Sequence, residues 1–72
     1  MEQLNQAAPD TTTGIRYLSP EQVAGMLGVP LKTVYTWQSE GTGPQFYKVG
    51  KRVVYIEVEV HRWVRSKAVL QR

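Results

Sequence analysis

The apolar residues change their spacing several times along the chain, and each change marks an element. After Ser19-Pro20-Glu21-Gln22, Val23, Met26 and Leu27 recur at helical intervals with Ala24 between them. Ser19 suits an N-cap, Pro20 the first helical position and Gln22 the third position of a capping box. Gly28 is a natural left-handed stop, so the first helix is expected over about Pro20 to Leu27. Pro30 opens a second helix, expected over about Leu31 to Ser39. Leu31, Val34 and Trp37 share one of its faces, and Gly41-Thr42-Gly43-Pro44 ends it. Two short helices joined through a glycine are a helix-turn-helix pattern, although the periodicity alone also fits an ordinary helical hairpin.

From Gln45 to Val49 and from Arg52 to Ile56 the chain turns β-branched and aromatic, with Gly50-Lys51 between the two runs. That spacing predicts a hairpin on a two-residue loop. Its inward row is expected to be Tyr47, Val49, Val53 and Tyr55, leaving Lys48, Arg52, Val54 and Ile56 outward. Such a hairpin is not stable alone and must pack on the helices. From Glu57 to about Lys67 helical spacing returns. Val60, Trp63 and Val64 lie inward, His61, Arg62 and Arg65 outward, and Val58 is a poor residue at the expected N-cap. Glu57 and Glu59 near its start, with Arg65 and Lys67 near its end, suit the helix dipole. The first fourteen residues hold one large aliphatic side chain, Leu4, and are expected to be a disordered tail. Residues 68–72 are expected to fray, leaving 15–67 as one domain. The expected fold class is α+β, mostly helical: helix, helix, two-stranded wing, helix.

Composition narrows the function. At 72 residues the chain has too small a core for a deep catalytic pocket, and it has no cysteine and one histidine. Disulfides, thiol chemistry and cysteine zinc sites are thereby excluded, and no cofactor or metal site is expected. No apolar run reaches the length of a membrane span and no secretory leader is legible, so a cytoplasmic protein is expected. Nine basic against six acidic residues, net +3, are compatible with a polyanionic partner. No catalytic triad, carboxylate pair or phosphate-cradling loop is present; His61 reads as a surface histidine, and Trp37 and Trp63 as core anchors.

The residues Tyr17-Leu18-Ser19, Glu21, Val23-Ala24, Leu27-Gly28-Val29, Thr33-Val34-Tyr35 and Trp37 fall in a familiar order. So do Gly41, Pro44, Val49-Gly50, Lys51-Arg52, Tyr55 and Trp63. From Ile15 to Val64 the chain resembles the excisionase-type winged helix-turn-helix domains, relatives of the MerR DNA-binding head. The resemblance implies a second helix in the major groove and a wing on the adjacent minor groove or backbone. Carried onto this chain, the DNA-contacting residues would be Leu31, Lys32, Thr33, Tyr35, Thr36 and Ser39 on the helix. Lys48, Lys51 and Arg52 would act on the wing, with Arg16 a secondary phosphate contact. The implied partners are double-stranded DNA with repeated sites, neighbouring copies of the chain and an integrase-type recombinase. The alternatives are a transcriptional regulator using the same head and a protein-interaction module. One departure stands out: Val54, Ile56 and Val58 form an apolar outward row where the family commonly carries polar residues. Either the C-terminal segment with Val69 and Leu70 folds back over that row, or it is a protein-contact surface.

Overall fold

In the computed structural model, residues 14–69 are described. The expected N-terminal tail falls almost wholly outside them, as do Leu70 and the residues after it. The order is β1 (Tyr17–Leu18), α1 (Pro20–Leu27), α2 (Leu31–Glu40), β2 (Tyr47–Val49), β3 (Arg52–Ile56) and α3 (Glu57–Arg65). This is the winged helix-turn-helix architecture that the sequence predicts, with one strand more.

Local chemistry sets the helix ends. Gln22 N–H donates to Ser19 Oγ at 3.0 Å and Ser19 N–H donates to Gln22 Oε1 at 2.8 Å, a reciprocal capping box. Gly28 and Gly41 close α1 and α2 at φ 70° and 73°. Pro30 is the N-cap of α2 and, having no capping side chain, offers only its carbonyl, which accepts from Thr33 N–H at 2.9 Å. The N-cap of α3 is Ile56 rather than Val58. That helix starts without a side-chain cap because Glu57 N–H donates to Arg16 O at 2.9 Å, so backbone from before β1 satisfies an otherwise orphaned group.

β1 pairs antiparallel with β3 (Tyr17 opposite Ile56, Leu18 opposite Tyr55), giving a three-stranded sheet in the order β1-β3-β2. Across the Gly50-Lys51 turn, where Gly50 takes φ 64°, Val49 lies opposite Arg52, Lys48 opposite Val53 and Tyr47 opposite Val54. Directly opposed residues share a face. The inward row is therefore Phe46, Lys48, Val53 and Tyr55, and the expected row of Tyr47, Val49, Val53 and Tyr55 is corrected by one position on β2. Tyr47 and Val49 are exposed on the outer face with Arg52, Val54 and Ile56, and Lys48 crosses to the helix side. The outward row also stops at Ile56, because Val58 already belongs to α3.

Leu18, Val23, Ala24, Val34, Tyr55 and Val60 form the buried core, drawn from β1, α1, α2, β3 and α3. Met26 and Val64, expected inward, are exposed at the edge of their helices. Leu27, Val29, Leu31, Trp37, Phe46 and Val53 pack half-buried around the core. Trp37 and Trp63 meet with ring centroids 5.2 Å apart at 55°, joining α2 to α3 at the rim of the core. Gly43, at φ 79°, lies flat against Trp37.

Candidate nucleic-acid interface

α2 turns Val34 into the core and Trp37 toward α3, which leaves Lys32, Tyr35, Thr36 and Ser39 exposed along one stripe. Thr33 is half-buried at its margin. Leu31 is half-buried against the core, so only part of it reaches the stripe. The polar groups are partly committed. Thr36 Oγ1 donates to Lys32 O at 3.0 Å and Ser39 Oγ donates to Thr36 O at 3.1 Å. With their protons so used, both hydroxyls offer lone pairs, which suits a base amino group better than a phosphate oxygen, an acceptor only.

The wing lies beside this stripe. Tyr35, Gln38, Ser39, Phe46, Lys48 and Val53 line one groove between α2 and the sheet. Tyr35 also borders a second, formed with Ser19, Pro20, Glu21, Lys51, Arg52 and Val53. Lys48, Lys51 and Arg52 are all exposed there, so the wing cations and the α2 stripe meet at Tyr35. Arg16 is not part of this gathering. It lines a groove with Gly14, Ile15, Glu57, Val58 and His61, beside α3.

The spacing of helix and wing is held by a contact that residue patterns did not single out. Gln38 Nε2 donates to Tyr55 Oη at 2.9 Å, joining α2 to the central strand. Gln38 lies one turn after Val34, on the same face, and a polar residue there is the signal that would have found it. Burial pushes the Tyr55 phenol above its ordinary value, the Gln38 bond works against that, and the nearby Tyr35 adds to it. On the outer face Tyr47 Oη donates to both Glu59 oxygens at 2.9 and 3.0 Å, and this bond to a carboxylate raises the Tyr47 phenol's pKa. Among the described residues no basic side chain is held in an ion pair, and Lys67 Nζ lies over the Trp63 ring, 5.3 Å from its centroid.

A family model of helix-turn-helix domains matches residues 17–68, most of the chain and nearly all of the described structure. The chain belongs to the helix-turn-helix domain family. Comparison with curated proteins and with solved structures gives no match. In this helix-turn-helix protein α1 and α2 form the motif proper, and DNA is the ligand the fold serves. The described residues contain no cluster of three or more side chains able to hold a metal ion, and no helix long and apolar enough to cross a membrane.

Proposed function

We propose that this helix-turn-helix protein is an architectural DNA-binding protein of the excisionase type, lining up in copies on repeated sites and steering an integrase-type recombinase toward excision. Lys32, Tyr35, Thr36 and Ser39 would read the major groove, with Leu31 and Thr33 at its edge. Lys48, Lys51 and Arg52 would hold the flanking backbone or minor groove. Lys32, exposed in the first turn of α2, would meet a base edge or the first phosphate.

The observation that carries the architectural reading is the outer face of the sheet. Tyr17 (53% exposed), Tyr47 and Val49 (63% exposed) stand there with half-buried Val54 and Ile56, opposite the face that carries Lys48. Exposed Val58 lies just beyond, on α3. An apolar face of this kind, bordered at the turn by Arg52, suits contact with a neighbouring copy while Lys48 on the other side turns toward α2. Val69 is 76% exposed, so as far as that residue the C-terminal segment does not cover the face; Leu70 lies outside the described residues.

A gel-shift titration on DNA with one and with several sites tests this. Val54→Glu with Ile56→Glu is expected to weaken cooperativity on repeated sites and to spare single-site binding. Unchanged cooperativity would remove the contact. A recombination assay with purified integrase separates the excisionase role from that of a transcriptional regulator: stimulated excision supports the first, and no effect, with protection of a single operator over a promoter, supports the second.

A further inference from the structure

The arginines of α3 take no part in the surface just described. α3 buries Val60 and turns Trp63 onto Trp37, so the opposite stripe faces solvent and carries exposed Val58, His61, Arg62 and Arg65. Arg16, exposed and set apart from the wing cations, borders the same side of α3 through the groove it shares with Val58 and His61. Half-buried Glu57 is the acid in that groove, and it forms no ion pair with Arg16, Arg62 or Arg65. Glu59 shares a groove with Arg62 and accepts the Tyr47 hydroxyl, but forms no ion pair with Arg62. The helix dipole accounts for two arginines in the last turn of α3, but Arg16 precedes β1 and lies outside that explanation.

The location matters as much as the charge. On α2, Trp37 faces α3, whereas the Lys32–Ser39 stripe occupies the far side of the same helix. A duplex held by α2 and the wing therefore lies away from the outward face of α3. Unpaired guanidinium groups present planar forks that match phosphate oxygens, which suits a backbone contact without base reading.

We propose that the face formed by Arg16, Arg62 and Arg65 binds the phosphate backbone of a second DNA segment, so that one copy bridges two duplexes. The proposal rests on the α2 and wing surface only for the first duplex, and the two are tested separately.

The experiment uses the full chain, beads carrying one duplex and a labelled second duplex in solution, with binding to one short duplex measured in parallel by fluorescence anisotropy. The parent chain is expected to retain the second duplex on the beads well above a protein-free control. Arg62→Gln with Arg65→Gln is expected to lower that capture to background while weakening single-duplex binding by less than about threefold, since peripheral charges act mainly through long-range attraction. Arg62→Lys with Arg65→Lys, which keeps the charge, is expected to retain capture. Absence of capture by the parent, or equal capture by the glutamine variant, would overturn the proposal. So would a loss of about tenfold or more in single-duplex affinity, which would place these arginines on the first duplex. Capture that survives the glutamine changes but disappears with Val54→Glu and Ile56→Glu would also overturn it, because paired copies would then be the bridge. Failure of Lys32→Ala with Arg52→Ala to weaken single-duplex binding would count against the α2 and wing reading instead.

Discussion

Gly43→Ala isolates how the wing is joined to α2. A Cβ at position 43 would lie 2.8 Å from Trp37 Cβ and 2.9 Å from Trp37 Cδ2 and Cε3. These are the Cβ and the near edge of an indole that α2 holds on one side and Trp63 on another, so the ring has little room to move. Two costs add. An L side chain at φ 79° loses roughly 1–2 kcal/mol, and overpacking against a fixed ring costs about 1–3 kcal/mol more. A reduced unfolded-state entropy returns about 0.4–1 kcal/mol. The net loss is about 1–4.6 kcal/mol, against the roughly 3–5 kcal/mol that a core of this size supplies. Gly41→Ala is the control: its φ is 73°, but nothing lies within 4 Å of the added carbon. It carries the backbone cost alone, about 1 kcal/mol, or a melting temperature lower by about 4–8 °C. Thermal and urea unfolding followed by circular dichroism and tryptophan fluorescence should show Gly43→Ala losing at least twice as much, or failing to fold. Equal losses in the two variants, within about 0.5 kcal/mol, would refute the claim that Trp37 needs a bare backbone at position 43.

Three further outcomes follow from the contacts described. Ser19→Ala removes the hydroxyl of the capping box and should cost about 1 kcal/mol, read from the urea midpoint at unchanged slope. Tyr55→Phe leaves the half-buried Gln38 amide without its partner and should cost about 1–2 kcal/mol in the same measurement. Because the Tyr47 and Tyr55 phenols are both raised, the folded chain favours their protonated forms. Their contribution to stability is complete below the unfolded value of 10.0 and falls as pH climbs through the raised values, so an alkaline unfolding series should show the loss and Tyr55→Phe should reduce it.

The parts of the fold legible in the sequence are those with local causes. Ser19, Pro20, Gln22 and Gly28 bound α1 through its own backbone, and Gly50-Lys51 sets the hairpin turn through two residues. The inward row of β2 differs from the one its hydrophobicity predicts, although the information is local. A two-residue turn joins Val49 to Arg52 and Lys48 to Val53, so the parity of β2 follows from the turn once the pairing is counted outward. Tyr47 and Val49 invite an inward reading by hydrophobicity alone, yet Lys48 takes that face. β1 was invisible for a different reason: two residues carry no periodicity, and Tyr17 and Leu18 form a strand only because β3 presents an open edge. Among the candidate contacts, membership of α2 placed Lys32, Tyr35, Thr36 and Ser39 together, and the hairpin placed Lys51 and Arg52. Arg16 was out of reach, since its position depends on the long-range pairing of β1 with β3.

That pairing has a kinetic meaning. Leu18 and Tyr55 are opposed in the sheet, yet every other element except α3 lies between them in the chain. As the polypeptide leaves the ribosome, α1 and α2 emerge with Leu18 and Val23 still lacking the strand that covers them. The first helical pair is too short to persist on its own. Closing this long loop carries an entropic cost that falls on the folding rate. α2 acquires a fixed orientation only after β3 has been synthesised, so a nascent or truncated chain ending before Ile56 would carry α1 and α2 without the strand that packs against them.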